Sequence, residues 1–318
     1  MGNSTNILQP SAKMANWEAR QIRDSALIGR ILHPLTRYRY ARDRYIRPSM
    51  QLPSHALDKS LLVVAHPDDE ILWFSSIIDR FDEIVICYMD SGHSDELGAA
   101  RRNSLRDHAL RDRITLLDLA QSKSHNISQW PEPEETDYGL KLTKNEDLDR
   151  LHVEQARRLR DAVQPFVAAA SNVFTHNPWG EYGHEDHVQV YRVVSRLADD
   201  SETRLWFGNY VSNKSSRLMR RNLEGLATPY YTMPVNPESA RRVADAYVRN
   251  GAWTFIDDYQ WPACECFVQD HNSQMQAGIS APFPVNYIRV PFDPFMTNRR
   301  RPSLARRLWR GLRRRISL

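Results

Sequence analysis

Leu61-Leu62-Val63-Val64-Ala65-His66-Pro67-Asp68-Asp69-Glu70-Ile71-Leu72-Trp73-Phe74 decides the fold. The opening apolar run reads as a short strand buried on both faces, the kind found inside parallel sheets. The apolar stretch that follows Glu70 reads as a helix over 69–81, with Pro67 or Asp68 near its N-terminus. Between them, at the mouth of the strand, stand one imidazole and two carboxylates. Such a set can hold a cation and still leave one carboxylate free to move protons.

Outward from this stretch the pattern alternates. A second strand is expected over 83–89, a polar loop over 92–98, and a long helix over 99–119. Residues 121–145, with Trp130, Pro131 and Pro133, read as an irregular excursion. A helix over 148–169, a short strand over 172–175 and a helix over 187–198 follow. This is an α/β pattern: a Rossmann-like, mostly parallel sheet flanked by helices. Ligands of such sheets sit beyond the carboxyl ends of the strands. A second polar segment, His176-Asn177-Pro178-Trp179-Gly180-Glu181-Tyr182-Gly183-His184-Glu185-Asp186-His187, follows the strand at 172–175. Both chemically rich segments therefore fall at one edge of one sheet.

A catalytic zinc takes about three protein ligands and keeps one position open. His66 and Asp69 are three apart across a strand-to-helix turn; His184 and His187 are three apart at a helix start. Taking His66, Asp69 and His187 as ligands leaves Asp68 and His184 unbound and adjacent, the complement for metal-assisted hydrolysis. A plain N-cap explains the Asp pair, and surface decoration explains His-x-x-His. Neither explains why both segments lie at strand ends of the same sheet. Asn177, Trp179 and Glu181 offer an aromatic flanked by polar groups, which suits a sugar; a turn with Trp179 in the core is the competing reading. His93, His108, His125, His152 and His271 are isolated and read as surface or satisfied core residues.

Beyond 56–298, the expected α/β domain, lie two extensions. Residues 1–55 read as an N-terminal helical extension, Arg-rich over 17–45 and closed by Pro48 and Pro53. Residues 299–318 carry nine Arg and no acid, so a chain of net charge +4 has a body of −5. In this tail Leu304, Leu308, Leu312 and Ile316 recur at four-residue steps. That is the pattern of a basic amphipathic helix lying on an anionic membrane surface; a disordered, solvated tail is the competing reading, and nucleic acid is the less favoured partner. No apolar run approaches the roughly 20 residues of a membrane span, and the N-terminus lacks the apolar core of a secretory signal. The odd set Cys87, Cys264 and Cys266 reads as reduced thiols. The expected location is cytoplasmic, with peripheral contact at the inner membrane face through the tail.

The run Ala65-His66-Pro67-Asp68-Asp69-Glu70, with Gly183-His184-Glu185-Asp186-His187, resembles the PIG-L/LmbE-like zinc-dependent N-acetylglucosaminyl deacetylases over roughly residues 60–200. The first motif matches without departure; in the second, Glu185 stands where the family usually has Pro. The resemblance implies His66, Asp69 and His187 as zinc ligands and Asp68 as general base. It implies His184 as the acid that protonates the departing amine, Asp186 as the residue holding that ring, and Tyr182 as a donor to the oxyanion. A family arginine followed three residues later by Glu has no full counterpart. Arg102 is followed by Leu105 and Arg101 by Ser104, and Arg102 is the candidate contact to sugar. The implied function is zinc-dependent removal of acetyl from an N-acetylglucosamine-type amino sugar, whether free or lipid-, nucleotide- or glycan-linked. An amidase for a larger sugar-linked amide or thiol conjugate is the alternative within enzymes. A non-catalytic basic membrane- or nucleic-acid-binding scaffold is the alternative outside them.

Overall fold

The computed structural model describes residues 50–90, 95–223, 230–256, 259–270 and 284–290. Residues 1–49 of the expected N-terminal extension and the basic tail 299–318 lie outside the described residues. Strands are β1 (Ser60–Val64), β2 (Glu83–Asp90), β3 (Ile114–Ala120), β4 (Glu135–Thr136), β5 (Gly139–Leu140), β6 (Asn172–Thr175), β7 (Arg204–Gly208), β8 (Tyr210–Ser212), β9 (Tyr230–Pro234), β10 (Cys264–Asp270) and β11 (Asn286–Ile288). Helices are α1 (Asp69–Trp73), α2 (Asp95–Asp107), α3 (Glu146–Ala169), α4 (Glu185–Asp199), α5 (Ser216–Leu223) and α6 (Pro237–Arg249).

The main sheet has seven strands in the order β3-β2-β1-β6-β7-β10-β9. The first five are parallel, and β10 and β9 are antiparallel additions. Side chains of β1 alternate between two cores. Leu61 and Val63 join Val85, Cys87 and Val173 under α3 and α4. Leu62 and Val64 join Ile84, Ile86 and Phe174 under α1 and α6. Both faces of the strand are thus covered, which is why it reads as an unbroken apolar run. Each such fully buried side chain contributes roughly 1.5–3 kcal/mol. No helix among the described residues is long and apolar enough to cross a membrane.

Two expected helices are corrected. The one over 69–81 ends at Trp73, because buried Glu265 on β10 takes the next backbone donors: Ser75 N–H at 3.1 Å and Ser76 N–H at 2.9 Å. The one over 99–119 is α2 followed by the edge strand β3, whose residues 114–120 are only partly covered. Helix α4 begins at Glu185, two residues earlier than expected.

From β1 the chain winds outward through β2 to β3, then returns to pair β6 with the other side of β1. The β1–β6 boundary is therefore the topological switch point, where a crevice opens beyond the strand ends. His66 leaves β1 there and His176 leaves β6 beside it. The register matches Val63 with Thr175, so the two segments emerge at the same height.

Candidate metal centre and active site

The turn after β1 is built to aim two adjacent carboxylates in different directions. Asp68 takes a left-handed backbone, φ +98°, which Asp tolerates better than most residues. Its N–H is held by Glu70 Oε2 at 3.1 Å, and Glu70 in turn accepts from Tyr247 Oη at 2.8 Å. Asp69 opens α1. Its Oδ1 accepts from Trp73 Nε1 at 2.8 Å and its Oδ2 from the His66 N–H at 2.8 Å. Both its oxygens are thereby fixed in place.

Oδ2 of Asp69 is the meeting point of the two distant segments. His66 Nδ1 lies 3.2 Å from it and His187 Nε2 lies 3.3 Å from it. Donor atoms of His66, Asp69 and His187 all fall within 4.8 Å of one another, and all three residues are buried. The far nitrogen of each imidazole is tied to a carboxylate. His66 Nε2 faces Asp186 Oδ2 at 3.2 Å, and His187 Nδ1 faces Glu181 Oε2 at 2.7 Å. Donation to those carboxylates leaves a lone pair on each inner nitrogen. The inner nitrogen of His187, Nε2, has no hydrogen-bond partner although it is fully buried. An orphaned imidazole lone pair beside a carboxylate, backed by acidic groups outside, fits a divalent cation. Burial alone would raise the Asp69 carboxyl, but His187, His176 and His66 together outweigh it and hold Asp69 well below the usual carboxylate range.

His176 is not a fourth ligand. Its Nε2 accepts the Ala65 N–H at 2.9 Å and its Nδ1 faces Glu181 Oε2 at 3.0 Å. Glu181 therefore bridges two stacked imidazoles whose centroids are 3.9 Å apart. Burial pushes the Glu181 carboxyl up, yet His176 and then His187 pull it below its ordinary value. The loop that delivers it turns sharply, with φ +66° at Gly180 and +90° at Gly183. A Cβ at Gly180 would stand 2.6 Å from the His184 carbonyl, so only glycine fits there. Glu181→Gln is expected to weaken divalent-metal affinity by about 10–100-fold while the fold survives, measured by equilibrium dialysis.

The cluster opens into a cavity of about 240 Å³ lined by His66, Asp68, Asp69, Tyr182, His184 and Asp186 on one side. Arg101 from α2, Gln121, Lys123, Ser124 and His125 from the segment after β3, and Phe255 are among the residues of the facing wall. Asp68 is 5% exposed and stands on this wall without joining the donor cluster. Burial, then the Asp69 charge, raise its carboxyl well above the usual range, and Arg101 pulls the other way. The Tyr182 phenol is driven well above its ordinary value by burial and by Asp69, so it stays protonated and able to donate.

His184 caps α4 through its ring: Nδ1 accepts the Asp186 N–H at 3.1 Å. Burial, then His125, His187 and His66, hold the imidazole well below 6.5. With Nδ1 accepting, the proton of the neutral ring sits on Nε2. The expected pairing of Asp186 with this ring is corrected. The Asp186 carboxylate grips His66 and, at 2.5 Å, Ser124 Oγ; only its backbone reaches His184. Burial works against the Asp186 charge, but His66 brings its pKa down to about 2.

The four expected sugar contacts lie elsewhere. Trp179 is fully buried in the core, with Nε1 on the Tyr210 carbonyl at 2.6 Å and its ring against Phe207. Asn177 is an internal brace whose Nδ2 reaches the Tyr210 carbonyl at 2.9 Å and whose Oδ1 accepts the Glu181 N–H at 2.9 Å. Glu181 orients His187. Arg102 points outward, its side chain 55% exposed beside Asp118. One step along a helix rotates a side chain by about 100°, so Arg101 lines the cavity in its place. Arg101 is 6% exposed, its Nη1 donates to the Met89 carbonyl at 3.3 Å, and its Nε has no partner. Sequence reasoning also passed over His125, whose ring stacks on His184 at 4.8 Å with 1° between planes. No signal marked it, because a lone histidine in an irregular segment has no periodicity to read. His108 and His152 are buried beside the site, against Glu70 at 3.4 Å and Ser122 Oγ at 2.8 Å, and His93 and His271 lie outside the described residues.

Fold and site together define an α/β protein in which His66, Asp69 and His187, a set that could hold a divalent cation, cluster at the switch point of a parallel sheet. Residues 61–198 match the model of the family described as PIG-L, GlcNAc-PI de-N-acetylase. Comparison with curated proteins gave no match. Among solved structures, the chain is similar to the A40926 pseudoaglycone deacetylase Dbv21, at 12% identity over 66% of this chain and 96% of that one, TM-score 0.43. It is similar to the zinc-inhibited form of teicoplanin deacetylase Orf2, at 14% identity over 67% and 100%, TM-score 0.43. A deacetylase–teicoplanin complex matches at 15% identity over 66% and 97%, TM-score 0.40.

Proposed function

We propose that the chain is a zinc-dependent N-deacetylase that hydrolyses the acetamide of an N-acetylated amino sugar. The metal-and-base arrangement carries this reading: His66, Asp69 and His187 turn their donor atoms on one point while Asp68 stands unligated beside it. The acetyl group and the sugar come from the family. A cation held by these three residues would lower the pKa of its water towards roughly 7 and polarise the amide carbonyl.

The chain's own groups supply the rest. Asp68 accepts the proton of the attacking water, and the new C–O bond makes the carbonyl carbon tetrahedral. The Tyr182 phenol and the His184 Nε2–H face the cavity as donors for the negative oxygen. Asp68, now a carboxylic acid, hands its proton to the departing nitrogen as the C–N bond breaks, giving acetate and an amine. Neutral His184 thus assists as a hydrogen-bond donor, and one carboxylate serves as base and then as acid. The left-handed Asp68 backbone, held by Glu70, aims that carboxylate away from the donor cluster.

The test is acetate release from free, nucleotide-linked and lipid-linked N-acetylglucosamines. Release from at least one class, abolished by chelator and restored by zinc, is expected. Release from none, by zinc-loaded protein, rules the reading out.

A further inference from the structure

Position 185 is where this chain departs from the motif it otherwise follows, and the structure gives the departure work to do. Glu185 is fully buried in the first turn of α4. Its carboxylate spends both oxygens on the segment after β3. Oε1 accepts the Ser128 N–H at 2.9 Å and Trp130 Nε1–H at 3.0 Å; Oε2 accepts the Asn126 N–H at 3.1 Å. Proline there would leave all three donors without acceptors.

The same segment is pinned from two more sides. Lys214, 3% exposed, donates its ammonium to Asn126 Oδ1 at 2.6 Å and to the Gly183 carbonyl, and sits 4.7 Å over the Trp130 ring. Lys144 Nζ donates to the Asn126 carbonyl at 2.7 Å. Charge closes the arrangement, because Glu185 is the main group opposing the loss of solvation of the Lys214 ammonium. What this fixes is one wall of the cavity: Lys123, Ser124 and His125 lie directly before the latched residues and line the space in front of Asp68. Ser124 reaches Asp186 and His125 stacks on His184, so the wall also touches the residues around the metal donors.

We propose that Glu185 is a positioning residue that latches residues 121–130 as a wall of the active site and thereby sets how tightly the chain holds its substrate. The latch rests on geometry alone; its consequence for substrate rests on the deacetylase reading. Loss of three acceptors at once releases the segment, since a buried N–H without a partner is unstable in place and draws in water. Asp68, Asp69, His184 and His187 hang from other elements, His184 keeps its cap on α4 and Asp186 keeps its grip on His66, so the groups around the reaction hold their positions. The effect therefore falls on KM and leaves kcat comparatively untouched.

The experiment compares Glu185→Ala, Glu185→Gln and Trp130→Phe in the full chain, by amide hydrogen exchange, zinc content and kinetics on the acetamido sugar the wild type hydrolyses. In Glu185→Ala, amides of 126 and 128 are expected to exchange at least tenfold faster and KM to rise about tenfold. Zinc stays at one per chain and kcat stays within threefold. Glu185→Gln, with one acceptor oxygen left, and Trp130→Phe, which loses one donor, give smaller shifts in the same order; they carry the test if the alanine variant does not fold. Unchanged exchange at 126 and 128 overturns the latch, and faster exchange with unchanged KM overturns its role in substrate binding. A wild type that hydrolyses no acetamido sugar fells the deacetylase reading by itself, and the exchange measurement still decides the latch.

Discussion

Asp68→Asn is expected to retain zinc and to lose roughly 10²–10⁴-fold in kcat, the usual contribution of a positioned general base. Asparagine is the right replacement. The position sits at φ +98°, where Asn, like Asp, is tolerated, whereas alanine would add backbone strain of about 1–2 kcal/mol and confuse stability with chemistry. The amide nitrogen or oxygen fills the same space on the cavity wall, and Glu70 still holds the backbone N–H. What disappears is an acceptor able to take a proton and return it. Metal content and single-substrate kinetics on the same preparation decide the matter. Turnover at the wild-type rate removes Asp68 from the mechanism; loss of zinc moves it into the donor set.

His187→Ala is expected to weaken zinc binding by roughly 10²–10³-fold, since about 10–16 kcal/mol of zinc affinity is shared among some four ligands. It is also expected to abolish activity. The variant has a second cost that a surface histidine would not. Glu181, fully buried, loses its 2.7 Å partner and keeps His176 and, on its other oxygen, the Asn177 N–H at 2.9 Å. Leaving a buried carboxylate half-partnered costs on the order of 1–3 kcal/mol. Stability should therefore fall even in the presence of chelator. His184→Ala is the contrast: its ring lies outside the donor trio of His66, Asp69 and His187, so it should lose rate and keep metal. Dialysis against zinc and thermal melts with and without chelator measure both effects. Equal zinc affinity in wild type and His187→Ala would refute the ligand assignment.

The sheet, and the meeting of the two polar segments beyond its strand ends, were legible because strands and strand ends are written in short-range pattern. Four apolar residues in a row announce a strand covered on both faces, and a strand end in a parallel sheet announces a crevice. The misreadings share one cause: each turned on a contact the sequence does not bring near. The segment 114–119 has apolar residues spaced well enough to extend α2, and only its pairing with β2 makes it β3. Arg101 and Arg102 are equivalent until the face of α2 is known. Trp179 and Asn177 sit among catalytic-looking neighbours, but the chain reverses at Gly180 and Gly183 and turns them into the core. Glu181 looked like a sugar contact because it is polar and near a tryptophan. Its work is to bridge imidazoles five residues before it and six after, which only the folded loop allows. Asp186 looked bound to the adjacent His184, yet on the first turn of α4 its side chain points to His66 across the cleft.

The most direct test of the account is X-ray absorption at the zinc edge of the metal-loaded full chain. Two imidazole ligands with oxygen donors and no sulfur are predicted, reduced to a single imidazole in His187→Ala. A wild-type spectrum with fewer than two imidazoles, or with cysteine sulfur bound, would contradict a centre built from His66, Asp69 and His187.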